Sequence, residues 1–66
     1  MQDHPSVRLM RSARRRLGLT QLELSRRIGC SESQIAKIET GRATPDRDLK
    51  RAIADALGIR PWEVCQ

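Results

Sequence analysis

Hydrophobic residues recur along this chain at intervals of three and four, in short runs that turn signals interrupt, and that spacing predicts helices. In the first run, over 7–17, Met10, Ala13 and Leu17 fall at i, i+3 and i+7. Arg8, Arg11 and Arg15 stripe the far side, so one face suits a core and the other solvent. Gly18 supplies the stop. Thr20 and Glu23 have the spacing of a capping box, which starts a second helix whose apolar side is Leu24 and Ile28, with Ser25 beside them, ending at Gly29. Ser31 and Gln34 repeat the spacing eleven residues later and open a third helix with Ile35 and Ile38 inward and Gly41 as its end.

After the loop residues Arg42, Ala43, Thr44 and Pro45, Asp46 can cap a fourth helix. Leu49, Ala52, Ile53, Ala56 and Leu57 form its apolar stripe up to Gly58. Pro61 suits the first position of a short fifth helix, from which Trp62 and Val64 are expected to lid the core. The prediction is an all-α, compact five-helix domain over residues 6–66, preceded by a flexible leader at 1–5. No internal repeat or long linker breaks it.

Composition narrows the function. Thirteen Lys and Arg against eight Asp and Glu leave a formal charge of +5, and eleven of the thirteen are arginine, the cation that forks onto phosphate and guanine edges. A polyanionic partner fits that balance, as does a solvated basic surface with no target. No apolar run approaches the roughly 18 residues of a membrane span, and the N-terminal residues lack signal-peptide order, so a cytoplasmic location and no membrane partner are expected. Cys30 and Cys65 are too few for a disulfide framework or a zinc cage, and His4 stands alone, so neither metal nor cofactor is expected. The same shortage leaves no catalytic triad, and no enzyme is expected.

Two capped helices joined by Gly29, Cys30 and Ser31 follow the helix-turn-helix plan, with the second helix placed to enter a major groove. The stretch LGLTQLELSRRIGCSESQIAKIETGRATP resembles the core of the lambda-repressor-like family of small regulators, the Cro and XRE type. Before it, RSARRR carries the arginine common in the family's first helix, and RAIADALGI after it looks like the family's fourth helix. The resemblance thus runs from about Met10 to Val64. Three positions depart from the pattern: Ser25 replaces a small alanine, Leu49 stands where a polar residue is common, and Lys50 stands where an apolar one is.

With about 100° between successive residues, the inward Ile35 and Ile38 leave Ser33, Ala36, Lys37 and Thr40 facing out, with Glu32 at the edge. The resemblance carries base-reading roles onto Glu32, Ser33 and Lys37. Lys37 can donate to guanine O6 and N7, Ser33 can bond either way, and Glu32 can accept from cytosine N4. Glu32 is equally explained as an acid favoured by the helix dipole. Gln21, which the resemblance places against both a phosphate and the recognition helix, joins Thr40, Arg42 and Arg47 as expected backbone contacts, although Gln21 and each arginine can also be merely solvated and either arginine can instead probe the minor groove. Arg14, Arg15 and Arg16, like Arg26 and Arg27, are charge runs of the kind that usually face solvent, with Arg11 or Arg26 adding long-range attraction.

Glu39 falls by period at the inward edge of the third helix, and Arg14 at the matching edge of the first. The resemblance pairs them in a partly buried ion pair that sets the angle between those helices. The expected function is sequence-specific binding of a palindromic double-stranded operator by a homodimer acting as a repressor. The competing reading is an antitoxin or other protein-binding module, using the fourth helix and the RPWEVC tail against a protein partner such as a toxin. Polymerase is a further possible contact, and Leu22 is a candidate exposed apolar residue for it.

Overall fold

The computed structural model describes residues 5–64, with side chains from Leu9 onward; His4 and Cys65 lie outside the described residues. Among them are five helices and no strand: α1 (Pro5–Arg16), α2 (Gln21–Ile28), α3 (Glu32–Glu39), α4 (Arg47–Leu57) and α5 (Pro61–Val64). The all-α expectation stands, with α1 starting two residues before Val7 and therefore inside the expected leader. Proline at a first helical position sacrifices an N–H that has no helical partner in any case.

Capping residues set the boundaries as the spacing predicts. The Thr20 side chain accepts from Glu23 N at 3.0 Å, and Thr20 N donates to Glu23 Oε1 at 2.8 Å, a complete capping box. At α3 only half of the box forms: Ser31 Oγ accepts from Gln34 N at 3.1 Å, without the return bond from Ser31 N. Asp46 caps α4 by accepting from Leu49 N at 2.8 Å, so the unusual Leu49 and Lys50 leave its start in place.

Met10, Ala13, Leu24, Ile35, Ile38, Ile53, Ala54, Leu57 and Val64 form the buried core. Each large aliphatic side chain so enclosed contributes about 1.5–3 kcal/mol relative to exposure. Leu17 does not join them: it is 52% exposed, against expectation. Helix α1 ends at Arg16, and Gly18, at φ 72°, reverses the chain so that Leu19 N bonds back to Arg14 O at 3.1 Å. That reversal brings Leu19 against the core instead.

Trp62 is likewise not a lid, being 62% exposed, whereas Val64 is fully buried. Two residues apart on a helix point to nearly opposite sides, so seating Val64 turns Trp62 out. There the Arg60 guanidinium lies 5.1 Å from its ring centroid, a cation–π stack. On α4 the expected stripe is buried at Ile53 and Leu57 and half-buried at Leu49, Ala52 and Ala56. Ala54 is buried as well, because α5 packs against α4.

Ser25, in the usual place of alanine, is buried, and its hydroxyl donates to Leu22 O at 2.7 Å, which meets the need created by burial. Cys30, in the turn between α2 and α3, is a free, half-buried thiol whose pKa burial pushes up.

Candidate nucleic-acid interface

Helix α3 divides cleanly into an inner and an outer face. Ile35, Ile38 and Glu39 are fully buried, while Glu32, Ser33, Lys37 and Thr40 are exposed and Ala36 is half-buried. Ser33, Ala36, Lys37, Thr40 and Arg42 line one shallow cleft open to solvent. Arg42 reaches it because the chain folds back after Gly41: Arg42 N and Ala43 N both donate to Lys37 O, at 2.8 and 3.2 Å. Two cations thus share a small concavity, and neither has an acid within ion-pair distance among the described residues.

The expected site residues do not all converge there. Ser33 and Lys37 are in the cleft with Thr40 and Arg42; Glu32 is exposed at the first turn of α3 but outside the lining. Arg47 lines a separate cleft with Lys50, Arg51 and Pro61. Thr40 Oγ1 donates within the helix, to Ala36 O at 2.9 Å or Lys37 O at 3.2 Å. It can donate outward only by releasing those carbonyls.

The Glu39 carboxylate is turned inward. Arg14 Nε donates to Glu39 Oε2 at 2.6 Å and Arg14 Nη2 to Oε1 at 3.1 Å, with Glu39 fully buried and Arg14 nearly so. Arg14 Nη1 donates to Leu19 O at 2.7 Å, and Gln21 Nε2 donates to Glu39 Oε1 at 3.0 Å. The pairing of Arg14 with Glu39 and the bracing of α3 by Gln21 are both present. No described buried side-chain N or O atom lacks a partner. An ion pair so enclosed fixes geometry more surely than it adds net stability.

Sequence reasoning missed one member of this cluster. Arg11 Nε lies 3.8 Å from Glu39 Oε1. Its position one helical turn before Arg14 puts the two on neighbouring parts of one face, a signal that the stripe assignment overrode.

No described helix is long and apolar enough to cross a membrane, and no described group of His, Cys, Asp and Glu could hold a metal ion. The helix-turn-helix domain family matches residues 7–64. A protein of Methanothermobacter thermautotrophicus (strain Delta H), described as an uncharacterized HTH-type transcriptional regulator, is 46% identical over 50 residues, which cover 76% of this chain and 72% of that protein. No solved structure matches the chain. With its two capped helices, the turn between them and the Arg14–Glu39 strut in register with the lambda-repressor-like pattern, the chain belongs to the helix-turn-helix domain family of XRE-like regulators.

Proposed function

We propose that this chain is a sequence-specific double-stranded DNA-binding transcription regulator, a repressor that reads the major groove with α3. The observation that carries the reading is the pair of unneutralised cations in one cleft, Lys37 on the outer face of α3 and Arg42 in the loop that follows it, while Glu39 is withdrawn into the interior. A guanine edge and a phosphate are the ligands such a face is built to accept. Lys37 and Ser33 contact bases, and Glu32, at the leading edge of the helix, accepts from cytosine N4 when the groove offers it. Gln21, Thr40, Arg42 and Arg47 hold the sugar-phosphate strands. The chain performs no catalytic step and needs no cofactor. It acts in the cytoplasm at the nucleoid, as a homodimer on a palindromic operator whose half-sites are about 34 Å apart.

Footprinting on a retained fragment tests the geometry. Protection of guanine N7 from methylation in two blocks one helical turn apart is the expected result. Protection confined to minor-groove edges, with N7 fully reactive, would overturn the major-groove reading.

A second reading has one observation in its favour: Trp62 is 62% exposed on α5, with the Arg60 guanidinium over its ring. A large exposed aromatic suits a protein contact. On this reading the chain is an antitoxin or other protein-binding module with a toxin as its partner. A toxin-like gene beside its own gene favours it.

A further inference from the structure

Glu39 has more positive charge around it than it can cancel. Its buried carboxylate accepts from Arg14 Nε at 2.6 Å, Arg14 Nη2 at 3.1 Å and Gln21 Nε2 at 3.0 Å. Arg14 also gives Nη1 to Leu19 O, which leaves it buried with each of its three nitrogens engaged. Arg11 comes to the same oxygen, Oε1, but its Nε stops at 3.8 Å, beyond hydrogen-bond reach, and its side chain is 37% exposed. Two guanidinium groups around one carboxylate leave one positive charge over. It resides on Arg11, the more exposed of the two arginines.

Gln21 is the neighbour that makes this charge useful. Because Arg11 Nε and Gln21 Nε2 both lie close to Glu39 Oε1, they are within about 7 Å of each other. One phosphate group, with donors about 2.8 Å from two of its oxygens, can span a gap of that size. Among the described residues no hydrogen bond takes up the two terminal nitrogens of Arg11 or the second side-chain N–H of Gln21, which is half-buried at the first position of α2. A guanidinium and an amide aimed by one fixed carboxylate suit a phosphodiester, a singly charged ligand with two free oxygens.

We infer that Arg11 and Gln21 form a clamp for a single backbone phosphate of the duplex, with buried Glu39 as the fixed post that aligns both side chains. Glu39 is the last residue of α3, so the clamp ties one phosphate directly to the recognition helix and sets how deep that helix sits in the groove. Arg11 is then a backbone ligand from α1, not a solvated charge. The inference rests on the duplex-binding reading.

Two measurements separate the clamp from that reading. First, the affinity of the unaltered chain, Arg11→Gln and Arg11→Lys for one selected and one scrambled duplex is followed against salt concentration. Arg11→Gln is expected to bind both duplexes about tenfold more weakly, with the slope of log affinity against log salt reduced by about 0.9. Arg11→Lys is expected to keep the slope and lose only a few-fold in affinity. An arginine that merely screened Glu39 would change the melting temperature and leave the slope alone, and an unchanged slope in Arg11→Gln overturns the clamp while duplex binding stands.

Second, inorganic phosphate is titrated against the unaltered chain, with the Arg11 Nε–H and Gln21 side-chain amide followed by NMR and chloride as the control. Selective movement of both resonances is expected. If the unaltered chain binds no duplex yet these resonances move with phosphate, the anion clamp survives and the regulator reading falls. If they do not move either, both fall.

Discussion

Arg14 on α1 and Glu39 on α3, twenty-five residues apart, are joined by two N–H···O bonds of 2.6 and 3.1 Å in the interior. The buried carboxylate of α3 is therefore engaged before any ligand arrives, and the cleft outside α3 keeps the positive charge of Lys37 and Arg42. Removing one partner of such a pair strands a buried charge, at a cost of about 3–5 kcal/mol. Arg14→Met is expected to lower the melting temperature by on the order of 10 °C or more, a large loss for so small a domain. The double change Arg14→Met with Glu39→Met is expected to recover much of that loss, because neither charge is then left alone. Thermal melts of the three variants check this, and a double variant no more stable than Arg14→Met would show that the pair contributes something besides charge compensation.

Lys37 and Arg42 share a cleft, yet their proposed roles predict different signatures. Lys37→Ala is expected to cost about 1–3 kcal/mol on the preferred site and little on scrambled DNA, since it removes a base contact. Arg42→Gln is expected to weaken both duplexes alike and to reduce the salt slope by about 0.9. Competition titrations at several salt concentrations separate the two patterns.

The capping box at α2 carries a pH dependence. The Thr20 backbone N–H, which donates to the Glu23 carboxylate, and then the Thr20 side chain beside it, together with Arg27 and Arg26, hold its pKa below the ordinary glutamate value. A carboxyl with a lowered folded-state pKa adds stability that is complete above its unfolded value and lost as pH falls through the folded one. Glu23→Gln is therefore expected to lower stability slightly at neutral pH and to converge with the unaltered chain in acid, which flattens the acid limb. Melts across pH 7 to 3 give the comparison; identical acid limbs would remove Glu23 from the account.

Gly29 ends α2 at φ 89°, and a Cβ placed there meets no atom within 4 Å. Any penalty for Gly29→Ala is thus backbone strain alone, expected at about 1 kcal/mol. Ser25→Ala should lie near zero or be slightly stabilising, because the Ser25 hydroxyl bonds only to Leu22 O within its own helix. Denaturant titrations resolve both.

Much of this arrangement is legible in the residue order because it rests on local chemistry. Thr20, Ser31 and Asp46 cap helices by side-chain bonds to residues three ahead, and Ile35 and Ile38 face inward by period. What escaped was decided by tertiary packing. Leu17 has core spacing, but the chain reversal at Gly18 delivers Leu19 instead, and Val64 displaces Trp62 because a one-turn helix can seat only one of them. Helical period places Arg11 near Arg15 as well as Arg14, and only the depth of Glu39 between α1 and α3 shows which neighbour matters.

The proposed reading of duplex sequence by α3 is put to the test most directly by retaining random genomic fragments on the protein at increasing salt and sequencing those that stay bound. One enriched palindromic motif is expected, bound at least about a thousandfold more tightly than scrambled DNA. A steep salt dependence with no enriched motif would contradict it, reducing the chain to a basic surface that binds any duplex.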